Sequence, residues 1–283
     1  MYLQEQGVIP PGGALRALFT LPIRAFRPAI LARYDHFLGI LKMLVRQRIV
    51  FFALSFFALA LLSGVILPLS TIEWKALWIG LCFFGLFAAH RMGPMQSLDE
   101  LGLCGDIPQG WMVGLLASLP MFVGLAIASK LSIHTSLRVV LVSVLFGPFA
   151  EEVLFRGYLF LQLYRRAQWS LPSAVMTTAL VFGLAHLRNM RAERDPWRFL
   201  AEVLITGFGG AFFAWLLVRW DNNLWIPIGM HVFMNLWWEV FAVDRTAIGN
   251  GIANGARILT VAAAIVITLQ KTRRKSNSRR AST

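Results

Sequence analysis

The chain has 283 residues, of which 57% are hydrophobic and only 14% charged, with a mean hydropathy of +0.64. A soluble domain carries about 25% charged residues, so this chain cannot coat a water-facing surface and belongs in a bilayer. The net charge of +13 gathers at the ends, with seven Lys/Arg against two acids in 1–48 and six Lys/Arg with no acid in 271–280. That pattern points to membrane lipid as partner and away from nucleic acid. Cys82 and Cys104 are too few for a disulfide framework or a metal cluster.

Pro10, Pro11, Gly12 and Gly13 predict a flexible start, with no secretory signal before the first long apolar run at Ile49. From Ala29 to Arg46, Leu31, Tyr34, Phe37, Leu38, Leu41 and Val45 recur at helical spacing, interleaved with Arg33, Lys42 and Arg46. This predicts a basic interfacial helix or, equally, an amphipathic helix packed on the protein. Ile49–Leu69 lies within 24 uncharged residues, enough to cross ~30 Å of hydrocarbon at ~1.5 Å per residue. Trp74–His90 is the second span, and Arg91–Pro108, with Asp99, Glu100 and Asp106, reads as a loop. The later spans are Gln109–Ser129, Leu137–Tyr164, Gln168–Leu187, Phe199–Val218, Asn223–Val243 and Gly255–Gln270. Pro120, Pro148, Pro172 and Pro227 mark kinks or helix starts.

The expected fold is therefore all-α, a polytopic integral membrane bundle of about eight transmembrane helices. Its parts are a basic leader (1–48), two helices and a loop (49–108), a core (109–270) and a basic tail (271–283). Eight spans put both termini on one side, and the larger share of Lys/Arg falls there, so the expected location is the cell membrane with both ends cytoplasmic. Arg188, Arg191, Arg194 and Arg198 crowd one connection on the other side. No internal repeat marks an inverted-repeat transporter.

Glu151, Glu152 and Arg156 sit in the middle of the fourth span. An ionised group near the bilayer centre costs at least ~2.5–3.5 kcal/mol, so these must be paired, buried toward the bundle or used. Glu152 and Arg156, four apart, share a helix face and can pair, while Glu151 lies about 100° around and is left for another partner. His186 closes Phe182-Gly-Leu-Ala-His186, and His231 and Asn235 share one side of the seventh span. Phe182, one turn before His186, can wall the site against lipid. A carboxylate, two imidazoles and an amide from three helices are the parts of a water-activating centre. The blander expectations are that His36, His90 and His134 are interfacial, that Trp74, Trp169 and Trp225 are aromatic-belt anchors, and that Glu202 and Glu239 snorkel. Gly207, Gly209 and Gly210 favour close helix packing.

Glu151-Glu152-x-x-x-Arg156, Phe182-x-x-x-His186 and His231-x-x-x-Asn235, in that order and within hydrophobic spans, resemble the CPBP family. This is the CAAX-protease and bacteriocin-processing group of intramembrane endopeptidases, which includes the type II CAAX prenyl endopeptidase. The resemblance covers about residues 110–243. It implies a hydrolase in which Glu151 is the general base that activates water, while His186, His231 and Asn235 position that water and stabilise the oxyanion. Glu152 and Arg156 would support the helix or contact substrate. The family has been described both as metalloprotease and as metal-independent glutamate-type protease. Zn²⁺ held by His186, His231 and Glu151 is one form, but there is no HExxH motif and a ligating Glu could not also be a free base. No cofactor is therefore assigned.

Straight helices perpendicular to the membrane would leave His186 and His231 at different depths. The motif nonetheless predicts that Glu151, His186, His231 and Asn235 converge in one polar cavity. The substrate implied is a membrane-anchored or prenylated protein or peptide. A transporter or proton relay and a non-catalytic immunity-type scaffold are the alternatives.

Overall fold

The computed structural model describes residues 23–129, 131, 136–190, 194–243 and 246–281. Pro10 to Gly13, His134 and Arg191 lie outside the described residues. Among those described, every regular element is helical. The chain divides into two units, 1–46 and 47–283. The described part of the first is the start of helix α1 (Ile23–Ile66), on which Phe37, Leu41 and Leu44 are exposed.

Then follow α2 (Thr71–His90), the short α3 (Pro94–Glu100) and α4 (Ile107–Ala128). Residues 137–166 form one interrupted helix, α5, in which the α-helical turn Gly147–Glu152 lies between π-helical stretches Val140–Phe146 and Val153–Phe160. The remaining elements are α6 (Leu171–His186), a 3₁₀ turn (Leu187–Met190), α7 (Pro196–Arg219), α8 (Trp225–Val240) and α9 (Gly251–Ala281).

Local chemistry fixes the starts. The Ser70 hydroxyl accepts from the Glu73 amide while the Glu73 carboxylate accepts from the Ser70 amide, a capping box that opens α2. Asp106, Ser170 and Asp195 cap α4, α6 and α7 through their side chains, and each of these helices has Pro in its first two positions. Pro172 thus starts α6, whereas Pro120 lies inside α4 and Pro148 inside α5. Pro148 offers no N–H to a helix ladder, and just before it the Gly147 amide reaches five residues back to Val142.

Five helices among the described residues are long and apolar enough to cross a membrane: His36–Gly64 within α1, α2, α4, α7 and Gly251–Lys275 within α9. Large apolar side chains such as Phe51, Phe84, Ile127 and Phe208 point outward, as a lipid-facing surface requires. The chain is a multi-pass all-α membrane bundle. Helices α5, α6 and α8 stand where three further spans are predicted, but α5 is interrupted and carries charge, and α6 and α8 have 16 residues each. Sixteen residues reach about 24 Å, less than the ~30 Å of hydrocarbon.

The middle of the bundle is α5, whose side chains from Val153 to Leu163 are buried without a break. Around it, α4 and α8 approach until Gly110 and Gly114 of one meet Gly229 of the other, where an added methyl would collide with backbone. The 91–108 connection is not a plain loop. It contains α3, and Glu100 at its end is buried, receiving Arg166 Nε at 2.8 Å, Arg166 Nη2, and Gln162 Nε2 at 3.2 Å. Burial pushes the Glu100 carboxyl up, but hydrogen bonding and charge from Arg166 outweigh it and hold the group below its ordinary value. His90 is half-buried and pairs with Gln162 Oε1 at 2.6 Å.

Candidate active site

Glu151 and Glu152 close the α-helical turn of α5, so adjacent carboxylates leave the helix in different directions. Glu152 is fully buried. Its Oε1 accepts from Arg156 Nη1 at 3.0 Å and from His231 Nδ1 at 2.8 Å. The predicted i,i+4 pair is thus present, and the same carboxylate does more than support its own helix: it orients a histidine on α8. Arg156 Cζ in turn lies 4.1 Å from the Phe182 ring centroid and 5.4 Å from that of Phe213, so the buried guanidinium has a carboxylate and two aromatic rings as neighbours.

These contacts fix the imidazoles. A carboxylate oxygen only accepts, so His231 Nδ1 carries the proton toward Glu152, and the neutral form of the ring presents its lone pair at Nε2. His186 is the last residue of α6, and its Nδ1 donates to the Phe182 carbonyl at 2.8 Å, which again leaves Nε2 as the free acceptor. Phe182 packs against His186 (4.5 Å between ring centroids), and Phe213 against His231 (5.4 Å). Straight full-length spans would leave His186 and His231 at different depths, yet both line one cavity.

Glu151 Oε2 faces His231 Nε2 across 3.9 Å. That is too long for a direct hydrogen bond and suited to one bridging water. The other oxygen, Oε1, is held by Lys75 Nζ of α2 at 2.8 Å. Glu151, Phe182, His186, His231 and Asn235 all line one cavity of about 770 Å³. Arg156 and Glu152 stand behind it, both at most 1% exposed. A second cavity of about 430 Å³, lined by Leu61, Trp74, Trp78, Phe155 and Leu184, also reaches Lys75, Glu151 and His186.

Several groups in or around this space differ from the sequence expectation. Lys75 is an ionisable side chain in an apolar span, the same signal that singles out Glu151, yet it belongs to no motif. Glu202 does not snorkel: it is fully buried, lines the larger cavity and accepts from the Ala247 amide at 2.9 Å. Glu239 and Arg257 line that cavity too. Trp74 turns inward, its indole N–H donating to the Ala60 carbonyl at 3.1 Å. Among the described residues no three His, Cys, Asp or Glu side chains form a group that could hold a metal ion. Of the donors named for Zn²⁺, Glu151 is engaged by Lys75 through Oε1, while His186 and His231 use Nδ1 for their hydrogen bonds and keep Nε2 free.

Residues 133–237 match the family model described as "Type II CAAX prenyl endopeptidase Rce1-like". Over 96 residues the chain is 29% identical to a Bacillus subtilis (strain 168) protein named "Putative membrane peptidase YdiL", a stretch that is 34% of each chain. The chain thus aligns with about a third of that relative's length. No solved structure matches. Glu151, Glu152, Arg156, Phe182, His186, His231 and Asn235 all fall inside the matched stretch, and over residues 133–237 the chain carries the pattern of the Rce1-like type II CAAX prenyl endopeptidases, the relatives that its three motifs resemble.

Proposed function

We propose that the protein is an intramembrane endopeptidase that hydrolyses a peptide bond near the membrane in a membrane-anchored or prenylated protein or peptide, with both its termini cytoplasmic. The observation that carries this reading is the 3.9 Å gap between Glu151 Oε2 and His231 Nε2 inside a cavity that His186 and Asn235 also line.

A water in that gap gives one proton to Glu151 while its other hydrogen is held by the lone pair of His231 Nε2, so its oxygen is directed at the scissile carbonyl. The new C–O bond forms as the carbonyl π pair moves to oxygen. Both neutral imidazoles present acceptors, and the Asn235 amide donates to that oxyanion. Collapse breaks the C–N bond, and Glu151 returns its proton to the departing amine. No step runs through a metal.

The test is cleavage of a library of anchored peptides by the purified protein, with and without chelator, beside Glu151→Ala and His231→Ala. Loss of a positioned general base removes about 10²–10⁴ in rate. Equal cleavage by wild type and Glu151→Ala discards the mechanism.

A further inference from the structure

Lys75 is the feature of the site that no motif accounts for. It opens the second turn of α2, outside the matched 133–237, and only 12% of its side chain is exposed. Three features fix it there. The Ser70–Glu73 capping box sets where α2 begins. Trp74 and Trp78, on either side of Lys75 along the helix, both donate their indole N–H to the Ala60 carbonyl, at 3.1 and 2.7 Å, and so clamp that face of α2 onto α1. On α5, one turn before Glu151, stands Gly147, where an added Cβ would lie 3.0 Å from Lys75 Nζ. A side chain at that position would crowd the ammonium, and the glycine leaves it room.

The ammonium engages only one of the two carboxylate oxygens. Oε1 is taken at 2.8 Å, and Oε2 is the one that faces His231 Nε2. A glutamate has a broad terminal torsion, so an unanchored Glu151 carboxylate rotates over a wide range that includes orientations with neither oxygen toward the water position. Lys75 and Glu151 also both line the apolar and the polar cavity, so their ion pair stands where the two meet. A buried carboxylate needs a partner, and Glu152 already has the arginine of its own helix.

We propose that Lys75 is a positioning residue: by holding Glu151 Oε1 it fixes Oε2 toward the water shared with His231. It acts through Glu151 and need not touch substrate. This rests on the endopeptidase reading above, so the test has one arm that depends on activity and one that does not.

In the first arm, kcat and KM are measured for wild type, Lys75→Met and Lys75→Arg on an anchored peptide that the wild type cleaves, with melting temperatures in the same detergent. Misplacing a reacting group by about 1 Å costs on the order of 10²-fold, so Lys75→Met is expected to lose about 100-fold in kcat with KM nearly unchanged. Lys75→Arg, which keeps a cation, is expected to recover part of that loss. In a Glu151→Gln background, Lys75→Met is expected to cause no further loss. Should Lys75→Met fail to fold, Lys75→Gln takes its place.

In the second arm, a carbodiimide treats the wild-type protein in detergent. It joins the Lys75 amine to the Glu151 carboxyl as an amide, the water lost converting the reagent to its urea, and the joined peptides are read by mass spectrometry. The exposed Lys275–Asp221 pair, 3.1 Å apart, is the internal control. An unchanged kcat in Lys75→Met, or an unjoined Lys75–Glu151 pair beside a joined control, overturns the proposal. Absence of any peptide cleavage by the wild type alongside a joined pair overturns the endopeptidase reading and the role in it, while leaving the placement of Lys75 established.

Discussion

Glu152 and His231, 79 positions apart in the sequence, meet at 2.8 Å through Oε1 and Nδ1 in a buried contact. The bond sets the tautomer of the imidazole and, with it, which nitrogen faces Glu151. The second carboxylate of the pair thus orients a histidine that lines the cavity, although it does not line the cavity itself.

Removing that carboxylate strands a buried arginine. Glu152→Ala leaves Arg156 without its ion-pair partner, and breaking a buried pair from one side costs about 3–5 kcal/mol. The expected result is a lower melting temperature together with lost cleavage. Glu151→Ala, by contrast, is expected to abolish cleavage with a smaller effect on melting.

Asn235 lines the same cavity as Glu151 and His231, and in the proposed mechanism its amide donates to the oxyanion. Asn235→Ala is expected to lower kcat by about 10²–10³ with little change in KM, as loss of an oxyanion donor does. Steady-state kinetics on one anchored peptide decides it: a rise in KM alone would remove Asn235 from the transition state.

At the contact between α4 and α8, Gly229→Ala or Gly114→Ala places a methyl against backbone. Such overpacking costs typically about 1–3 kcal/mol. Since α8 carries His231 and Asn235, melting temperature and cleavage should fall together in these variants. Alanine at Gly80, which has no atom within 4 Å of an added Cβ, should leave both unchanged.

Acid should loosen the α3–α5 contact. The Glu100 carboxyl lies below its ordinary value because Arg166 outweighs its burial, so its contribution to stability is present above the unfolded value of about 4.3. That contribution is lost as pH falls through the lower folded value. The gap in melting temperature between wild type and Glu100→Gln is expected to be constant from pH 7 to about pH 5 and to close below about pH 4.

The legible parts of this protein were those governed by the cost of charge in hydrocarbon. Composition gives the bilayer, uncharged runs give α2, α4, α7 and α9 nearly as spans but only the later part of α1, whose span begins at His36, and the three motifs name seven of the side chains gathered around the cavity. What could not be read was distance between helices. Nothing local to Glu152 says that it will meet His231, and nothing around Lys75 distinguishes a lysine that reaches out to headgroups from one that reaches inward. Glu202 and Trp74 sit near predicted span ends for the same reason, and both turn toward the bundle. The shortness of α6 and the π-helical ladder of α5 likewise depend on where hydrogen bonds close, which hydropathy does not record.

The close approach of Gly110 and Gly114 to Gly229 has a practical consequence. Helix α4 precedes residue 133, as does Lys75, so the recognisable third of the sequence borrows both its seating and one of its ion pairs from upstream. Excised as a fragment, residues 133–237 would keep every signature side chain and lose the wall that holds His231 opposite Glu151. A minimal version of this protein has to be cut with its neighbours attached.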